Sequence, residues 1–328
     1  IKTNYLPNKD YRSINFINLR KIFKDYIHQL NETKCYKHTL DYAIKLNVEM
    51  YKSAISNLKN KNIKSFNINN LEYNRRRKNL VFEPCNFNKN GITKLGKLKA
   101  SANFNNISIK RNCILQYDSF KKEYYLLVPI DCLIEGQIKR EKEVGIDIGV
   151  RTFLTTYSKN KVCEIGTNTS KIINKYQKKL DNIRSSYNKH IIKENKFKKL
   201  INKNYEKVNN SIKDLHFKSA LYLVKKYETI KIGKVSISSM VSRKGKLVKG
   251  AKRKLLSLKH YMFNKILKYK GSIYNCKIKE INEYMTSKKC HNCGNINKKL
   301  GMNKIYNCSN CKIEIDRDIN ASINISYL

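Results

Sequence analysis

The sequence predicts an α/β chain of more than one domain, and three observations predict it. Apolar residues recur at 3- and 4-residue steps in some stretches and at alternate positions in others, so helices and strands are both present. The chain has 328 residues, 41% of them hydrophobic, which is enough for two or three cores. Two Cys-x-x-Cys pairs near the C-terminal end, Cys290/Cys293 and Cys308/Cys311, mark a small metal-stapled module set within the last domain.

In chain order, residues 11 to about 62 read as helices, with Leu40, Ala43, Ile44, Val48, Tyr51 and Ile55 as an apolar stripe. The period changes at Ile63, and Phe66-Asn67-Ile68 alternates. Ile107 to Tyr117 and Lys122 to Ile130 read as two strands around a turn at Asp118-Ser119. Residues 63–137 are therefore expected to form a small β-barrel with basic loops, Arg75-Arg76-Arg77-Lys78 and Lys94 to Lys97. Strands follow at 143–150, 152–157 and 161–165, the first carrying Asp147 in an apolar run. Ser170 to Tyr227 is basic and helical, and reads as a helical hairpin. Thr229 to Val235 is a strand, and Arg243-Lys244-Gly245-Lys246 a basic loop. Leu255, Leu258, Met262, Ile266 and Leu267 then mark an amphipathic helix. A strand over 273–282 ends at Glu283, the cysteine pairs follow, and a last helix starts at Asp318. Three strands, helices, a strand, a helix, a strand and a helix is the element order of an RNase H-like domain, with the cysteine module inserted before the last helix.

The chain carries 69 Lys and Arg against 25 Asp and Glu, a formal charge of +44. That excess is spread along the chain and predicts a polyanionic partner held in a long cationic groove. No apolar run approaches about 18 residues, so no membrane helix is expected, and no signal peptide is visible. The expected location is intracellular and soluble, and nuclear for a eukaryotic host. Cys35, Cys85, Cys113, Cys132, Cys163 and Cys276 follow no pattern, which suits a reducing compartment. The sequence opens on Ile1 rather than Met and is read as a fragment.

Each cysteine pair places two thiolates on one tight turn, and two such turns close a tetrahedron around one structural Zn²⁺. The module leads straight into Asp316-Arg317-Asp318-Ile319-Asn320, an acidic helix start. An acid in an apolar strand is costly to bury unless it meets a cation or metal, the alternative being a turn cap. Two-metal phosphodiester cleavage needs carboxylates converging from separate elements, and Mg²⁺ takes hard oxygen ligands. Asp147 and Asp318 are candidates for that role. The strand 229–235 should supply a third acid, but Gly233 stands at its end and cannot ligate.

Three stretches, GIDIGVRTFLTTYS, the Thr286-Ser287-Lys288-Lys289-CHNCG entry and the CSNCKIEIDRDINASINI exit, resemble the TnpB family. These are transposon-encoded RNA-guided nucleases, also known as OrfB-type transposases and related to type V CRISPR effectors. The resemblance covers essentially 30 to 328. It implies a RuvC nuclease domain with an inserted zinc ribbon, a wedge-type β-barrel before it and a helical recognition segment first. The implied divisions are 1–62 helical, 63–137 barrel, 138–283 nuclease, 284–312 zinc ribbon and 313–328 last helix. Residue by residue, Asp147 takes the place of the first RuvC acid and Asp318 that of the third. The usual second Glu falls at Gly233. A Fanzor-like subset has that Glu relocated to just before the ribbon, and here the position is Glu283. Glu280 is the weaker candidate, since a strand turns it to the opposite face.

The resemblance thus implies catalytic Asp147, Glu283 and Asp318 holding two Mg²⁺, with guide RNA and target DNA as partners. Arg75, Arg76, Arg77, Arg243, Lys244 and Arg317 are candidate nucleic-acid contacts, and Asn320 is expected to orient the metal shell. Two alternatives remain open: an RNA-guided DNA binder that does not cut, favoured by Gly233, and a protein-only DNA-binding transposase subunit.

Overall fold

α1 (Phe16–Ile22) begins where Asn15 caps it, the side-chain oxygen accepting from Asn18 N at 2.9 Å. Ile44, Val48 and Tyr51 of α2 (Lys37–Lys59) lie on one helical face and bury against Ile14 and Leu19. Phe66 sets its ring edge-on to Tyr51 at 6.4 Å. Phe66 thus belongs to the helical cluster, and Asn67 and Ile68, the rest of the alternating stretch, lie outside the described residues. The computed structural model describes residues 14–23, 37–66, 77–88, 91–92, 96–97, 108–131, 140–234, 237–242, 247–282, 285–298, 300–301 and 303–328. They fall into two units, Ile1–Asp131 and Cys132–Leu328.

In the first unit, β1 (Arg77–Phe82), β5 (Cys113–Asp118) and β6 (Glu123–Leu127) form an antiparallel sheet in the order β1-β5-β6. Between them in sequence, β2 (Phe87–Asn88), β3 (Gly91–Ile92) and β4 (Gly96–Lys97) form a second antiparallel sheet. The expected hairpin at Asp118 is present: its Oδ1 accepts from Phe120 N at 3.0 Å and Lys121 N at 3.2 Å, and Lys122 takes a φ of 58° to return the chain. β5 starts at Cys113 rather than Ile107, which lies outside the described residues. Among the described residues the expected barrel is drawn as these two separate sheets.

The second unit is built on β7 (Glu141–Ile148), β8 (Leu154–Ser158), β9 (Lys161–Ile165), β10 (Tyr227–Gly233) and β11 (Lys277–Ile281), in the order β11-β10-β7-β8-β9. β7, β8 and β9 run as an antiparallel meander, and β10 and β11 add in parallel. The parallel additions require long crossovers. α3 (Thr169–Asn188) and α4 (Glu194–Lys226) supply the first, and His190, at φ 56°, turns the hairpin where no glycine is available. α5 (Ile237–Val241), α6 (Lys249–Leu258) and α7 (His260–Ile273) supply the second.

The expected single amphipathic helix is broken. Lys259 sits at φ 50°, ψ 45°, ending α6 and starting α7. The break shifts the helical register, so Phe263 and Leu267 enter the core while Met262 stays 47% exposed. β11 is shorter than the expected 273–282, because Ile273 ends α7 and Asn275 turns the chain at φ 48°.

Val144, Ile146, Ile230 and Ile232 alternate along their strands and bury on one face, with Leu223, Phe263 and Leu267 from the crossover helices. The opposite face of β7 is covered by the last helix, α8 (Arg317–Tyr327). Between β11 and α8 lies the cysteine module, with β12 (Ile305–Asn307) paired antiparallel to β13 (Glu314–Asp316). No helix among the described residues is long and apolar enough to cross a membrane.

Candidate metal centres

Each cysteine pair sits on a turn closed in the same way. Gly294 N donates to Cys290 O at 3.0 Å, and Lys312 N donates to Cys308 O at 3.1 Å. The closing residues, Gly294 and Lys312, take φ of 76° and 61°. The two turns bring all four sulfurs within 4.8 Å of one another, with Cys290–Cys311 at 3.7 Å and Cys293–Cys308 at 3.5 Å. A tetrahedral Zn²⁺ with bonds of about 2.3 Å needs sulfur–sulfur edges of about 3.8 Å, so this donor set fits one ion. Burial pushes the Cys290 thiol up to about 11, whereas the backbone N–H groups of Cys311 and Asn310 draw Cys308 down to about 6. A bound zinc would hold both as thiolates. Tyr306, wholly buried, donates to Lys288 O and Asn295 O, which ties the first knuckle to β12.

β13 ends at Asp316, and Asp316 caps the last helix. Its Oδ1 accepts from Asp318 N at 2.8 Å and Ile319 N at 3.4 Å, so the helix begins at Arg317 rather than at Asp318. Asp318 thus stands in the first turn. Burial raises its pKa first, the Asp316 charge raises it further, and Arg151, Arg317 and Lys304 pull it back.

The same helix lies directly on β7. Gly145 meets the backbone of Ser322 and Ser326 so closely that a Cβ would lie 2.5 Å from Ser326 N and overlap the Ser322 carbonyl. Lys231, beside Gly145 on β10, donates from Nζ to Ser326 O at 2.6 Å and pairs with Glu143 at 3.0 Å. Asp147 lies two residues beyond Gly145 and shares that face. Two further on, a Cβ on Gly149 would stand 3.8 Å from Asp318 Oδ2. The C-terminal end of β7 and the first turn of α8 are therefore adjacent.

The register places Gly233 in this row. Ile232 lies beside Ile146, and Gly233 lies beside Ile281. The next position on β7 is Asp147, so Asp147, Gly233 and Ile281 stand level across three parallel strands. Glu283, two residues past Ile281 in sequence, lies outside the described residues. Glu280 turns to the other face, where Lys268 of α7 pairs with it at 2.8 Å.

The cationic candidates are spread. Arg77 opens β1 and stands 3.7 Å from the buried Asp118 carboxylate. Arg75, Arg76, Arg243 and Lys244 lie outside the described residues. Arg317 is engaged within the module, donating to Gly301 O at 2.9 Å and Ser287 Oγ at 3.4 Å. Asn320, expected to orient the metal shell, is wholly buried and bonds to the first cysteine knuckle. The sequence reading missed Lys231 and Asn324. A lysine in an apolar strand and two asparagines one helical turn apart were the available signals.

Two family models match the chain, one described as "Probable transposase" over residues 129–244 and one as "Cas12f1-like, TNB domain" over residues 260–325. Two TnpB-like proteins of Acanthamoeba polyphaga mimivirus are each 36% identical over 326 residues, or 95% of this chain. The chain spans 62% and 61% of their respective lengths. A solved cryo-EM structure of a Cas12f1–sgRNA–target DNA complex aligns with 66% of this chain and 45% of its own, at 19% identity and a TM-score of 0.49.

Proposed function

The chain belongs to the TnpB-like, OrfB-type transposase family, and from that premise we propose that it is a transposon-encoded, RNA-guided DNA endonuclease. The observation that carries the proposal is the adjacency of two carboxylate-bearing ends, Asp147 on β7 and Asp318 in the first turn of α8. The sheet order, a three-strand meander with two parallel strands added through helical crossovers, supports an RNase H-like (RuvC) nuclease domain. In this reading residues 138–283 and 313–328 form that domain, 284–312 the zinc ribbon, 63–137 a wedge-type domain and 1–62 a recognition segment.

Asp147, Glu283 and Asp318 would hold two Mg²⁺. When bound, the ions would activate water and stabilise the leaving oxygen of a DNA phosphodiester. The chain's own contribution is to fix the acids. α8 is pinned by its Asp316 cap, by Lys231 at Ser326 O and by contact with Gly145. The raised pKa of Asp318 marks a desolvated carboxylate, a group that gains from a nearby cation. Gly233 leaves a place in the row without a ligand, and Glu283, two residues past Ile281 in sequence, is proposed to fill the role.

The charge of +44 supports RNA and DNA held through their backbones, with base pairing reading the sequence. The test is to sequence the nucleic acid that copurifies with the protein and then assay Mg²⁺-dependent cutting of a target matching the bound guide. Guide RNA with cutting supports the proposal. Guide RNA without cutting leaves the non-cleaving binder, and absence of RNA leaves the protein-only DNA binder.

A further inference from the structure

Asn320 spends all of its side chain on the cysteine module. Its Oδ1 accepts from His291 N at 3.0 Å and lies 3.1 Å from His291 Nδ1, and its Nδ2 donates to Lys289 O at 2.8 Å. Asn324, one turn later, donates to Thr286 O and Lys289 O, each at 2.8 Å. These bonds grip residues 286–291, a segment that contains Cys290 and begins shortly after Glu283 in sequence. A wholly buried amide bonded through both its oxygen and its nitrogen is a rigid joint, because breaking either bond strands a polar partner in the interior.

The other contacts of the same helix show what the joint holds. Asp318 is two residues before Asn320, in the same helix of 11 residues. On another side the helix backbone rests on Gly145, two residues from Asp147. One short helix thus joins the knuckle, the end of β7 and the segment at Thr286 that leads into the knuckle. Mg²⁺ demands near-ideal octahedral geometry at about 2.0–2.1 Å, so a small rotation of this helix would weaken metal binding at Asp318.

We propose that Asn320, supported by Asn324, is a positioning residue that transmits the geometry of the zinc knuckle to Asp318. Zinc loading then sets the affinity of the acid centre for its divalent cation. The activity arm of the test rests on the nuclease reading above; the other two arms do not.

The test uses the full chain with Asn320→Ala, and with Asn324→Ala and His291→Ala as milder variants that decide the matter should the first not fold. Zinc content should stay at about one per chain in all folded variants, because the four cysteines are untouched. Mn²⁺ binding, followed by electron paramagnetic resonance, should weaken at least tenfold in Asn320→Ala and by less in the other two. Hydrogen exchange in residues 317–327 of the wild type should speed up when zinc is chelated. In Asn320→Ala it should be fast from the start and insensitive to the chelator. The Mg²⁺ concentration for half-maximal cleavage should rise by the same factor as the Mn²⁺ affinity falls, with nucleic-acid binding unchanged. Unchanged Mn²⁺ affinity in the folded variants, or a last helix indifferent to chelation in the wild type, overturns the proposal. A wild type that cuts nothing, yet passes the Mn²⁺ and exchange arms, sinks the nuclease reading and upholds the joint.

Discussion

At Asp318, burial and the Asp316 charge favour the protonated acid, while Arg151, Arg317 and Lys304 favour the carboxylate. A divalent cation shared with Asp147 would settle that competition for the charged form. Asp147→Asn and Asp318→Asn keep size and polarity but remove the charge, so each should lower Mg²⁺-dependent cleavage by several orders of magnitude and leave RNA and target binding intact. Cleavage within tenfold of wild type in either variant would remove that residue from the centre. A second residue-scale prediction concerns His260. It stacks on Phe153 at 5.4 Å, with His216 on the same ring at 5.3 Å, and among the described residues neither of its nitrogens has a hydrogen-bond partner. Burial pushes its pKa from 6.5 to about 3, with the His216 charge a lesser cause. The folded state then binds fewer protons than the unfolded one over that range, so this contribution to stability is whole above pH 6.5 and declines as pH falls towards about 3. The slope approaches about 1.4 kcal/mol per pH unit. Urea unfolding at pH 7 and pH 5 should show a smaller loss for His260→Phe than for wild type, and equal losses would contradict the assignment. The four cysteines were legible from their spacing, and Asp147 and Asp318 stood out as candidates because an acid in an apolar run and an acidic helix start are local signals. Asn320, Asn324 and Lys231 were not, since their partners lie far along the chain, Ser326 O for Lys231 and Lys289 O for both asparagines.

The element on which the site depends is the last helix, held close to β7 by the absence of a side chain at Gly145. Gly145→Ala should force the two apart at a cost of about 1–3 kcal/mol, and cleavage should fall with stability. A variant of unchanged melting temperature would show that the helix is not seated there. The cysteine module is an element of a different kind, with a core of Cys290, Leu300, Tyr306 and Cys308 too small to stand without its metal. Cys308→Ser should lose the single zinc by metal analysis and, with it, protection of residues 290–311 from exchange. Full zinc occupancy in that variant would contradict the four-thiolate site. The order of elements from β7 to α8 followed from hydrophobic period, but two details did not. The break at Lys259 depends on a left-handed residue that propensity does not favour, and β11 begins late because α7 overruns the apolar Ile273. Strand pairing in the first unit was only partly legible, as two-residue strands such as β3 carry too few side chains to show alternation.

For the whole molecule, the excess of 69 basic over 25 acidic residues sets the terms of binding. Each phosphate contact releases counterions, so affinity for nucleic acid should fall on the order of 10³-fold or more between about 50 and about 200 mM salt. An affinity indifferent to salt would argue against backbone recognition. The charge and the family resemblance were both visible in the sequence, whereas the level row of Asp147, Gly233 and Ile281 emerged only from the parallel register of three strands. That row bears on the central claim, a metal-dependent nuclease whose third acid has moved from the Gly233 position to Glu283. The most direct test is cleavage by Glu283→Gln, loaded with its copurified RNA and assayed on a matching DNA target across a Mg²⁺ titration beside the wild type. The predicted result is wild-type cutting that depends on Mg²⁺, and a variant that binds RNA and target normally but cuts several orders of magnitude more slowly. Normal cutting by Glu283→Gln would contradict the relocation, and no Mg²⁺-dependent cutting by the wild type would contradict the nuclease itself.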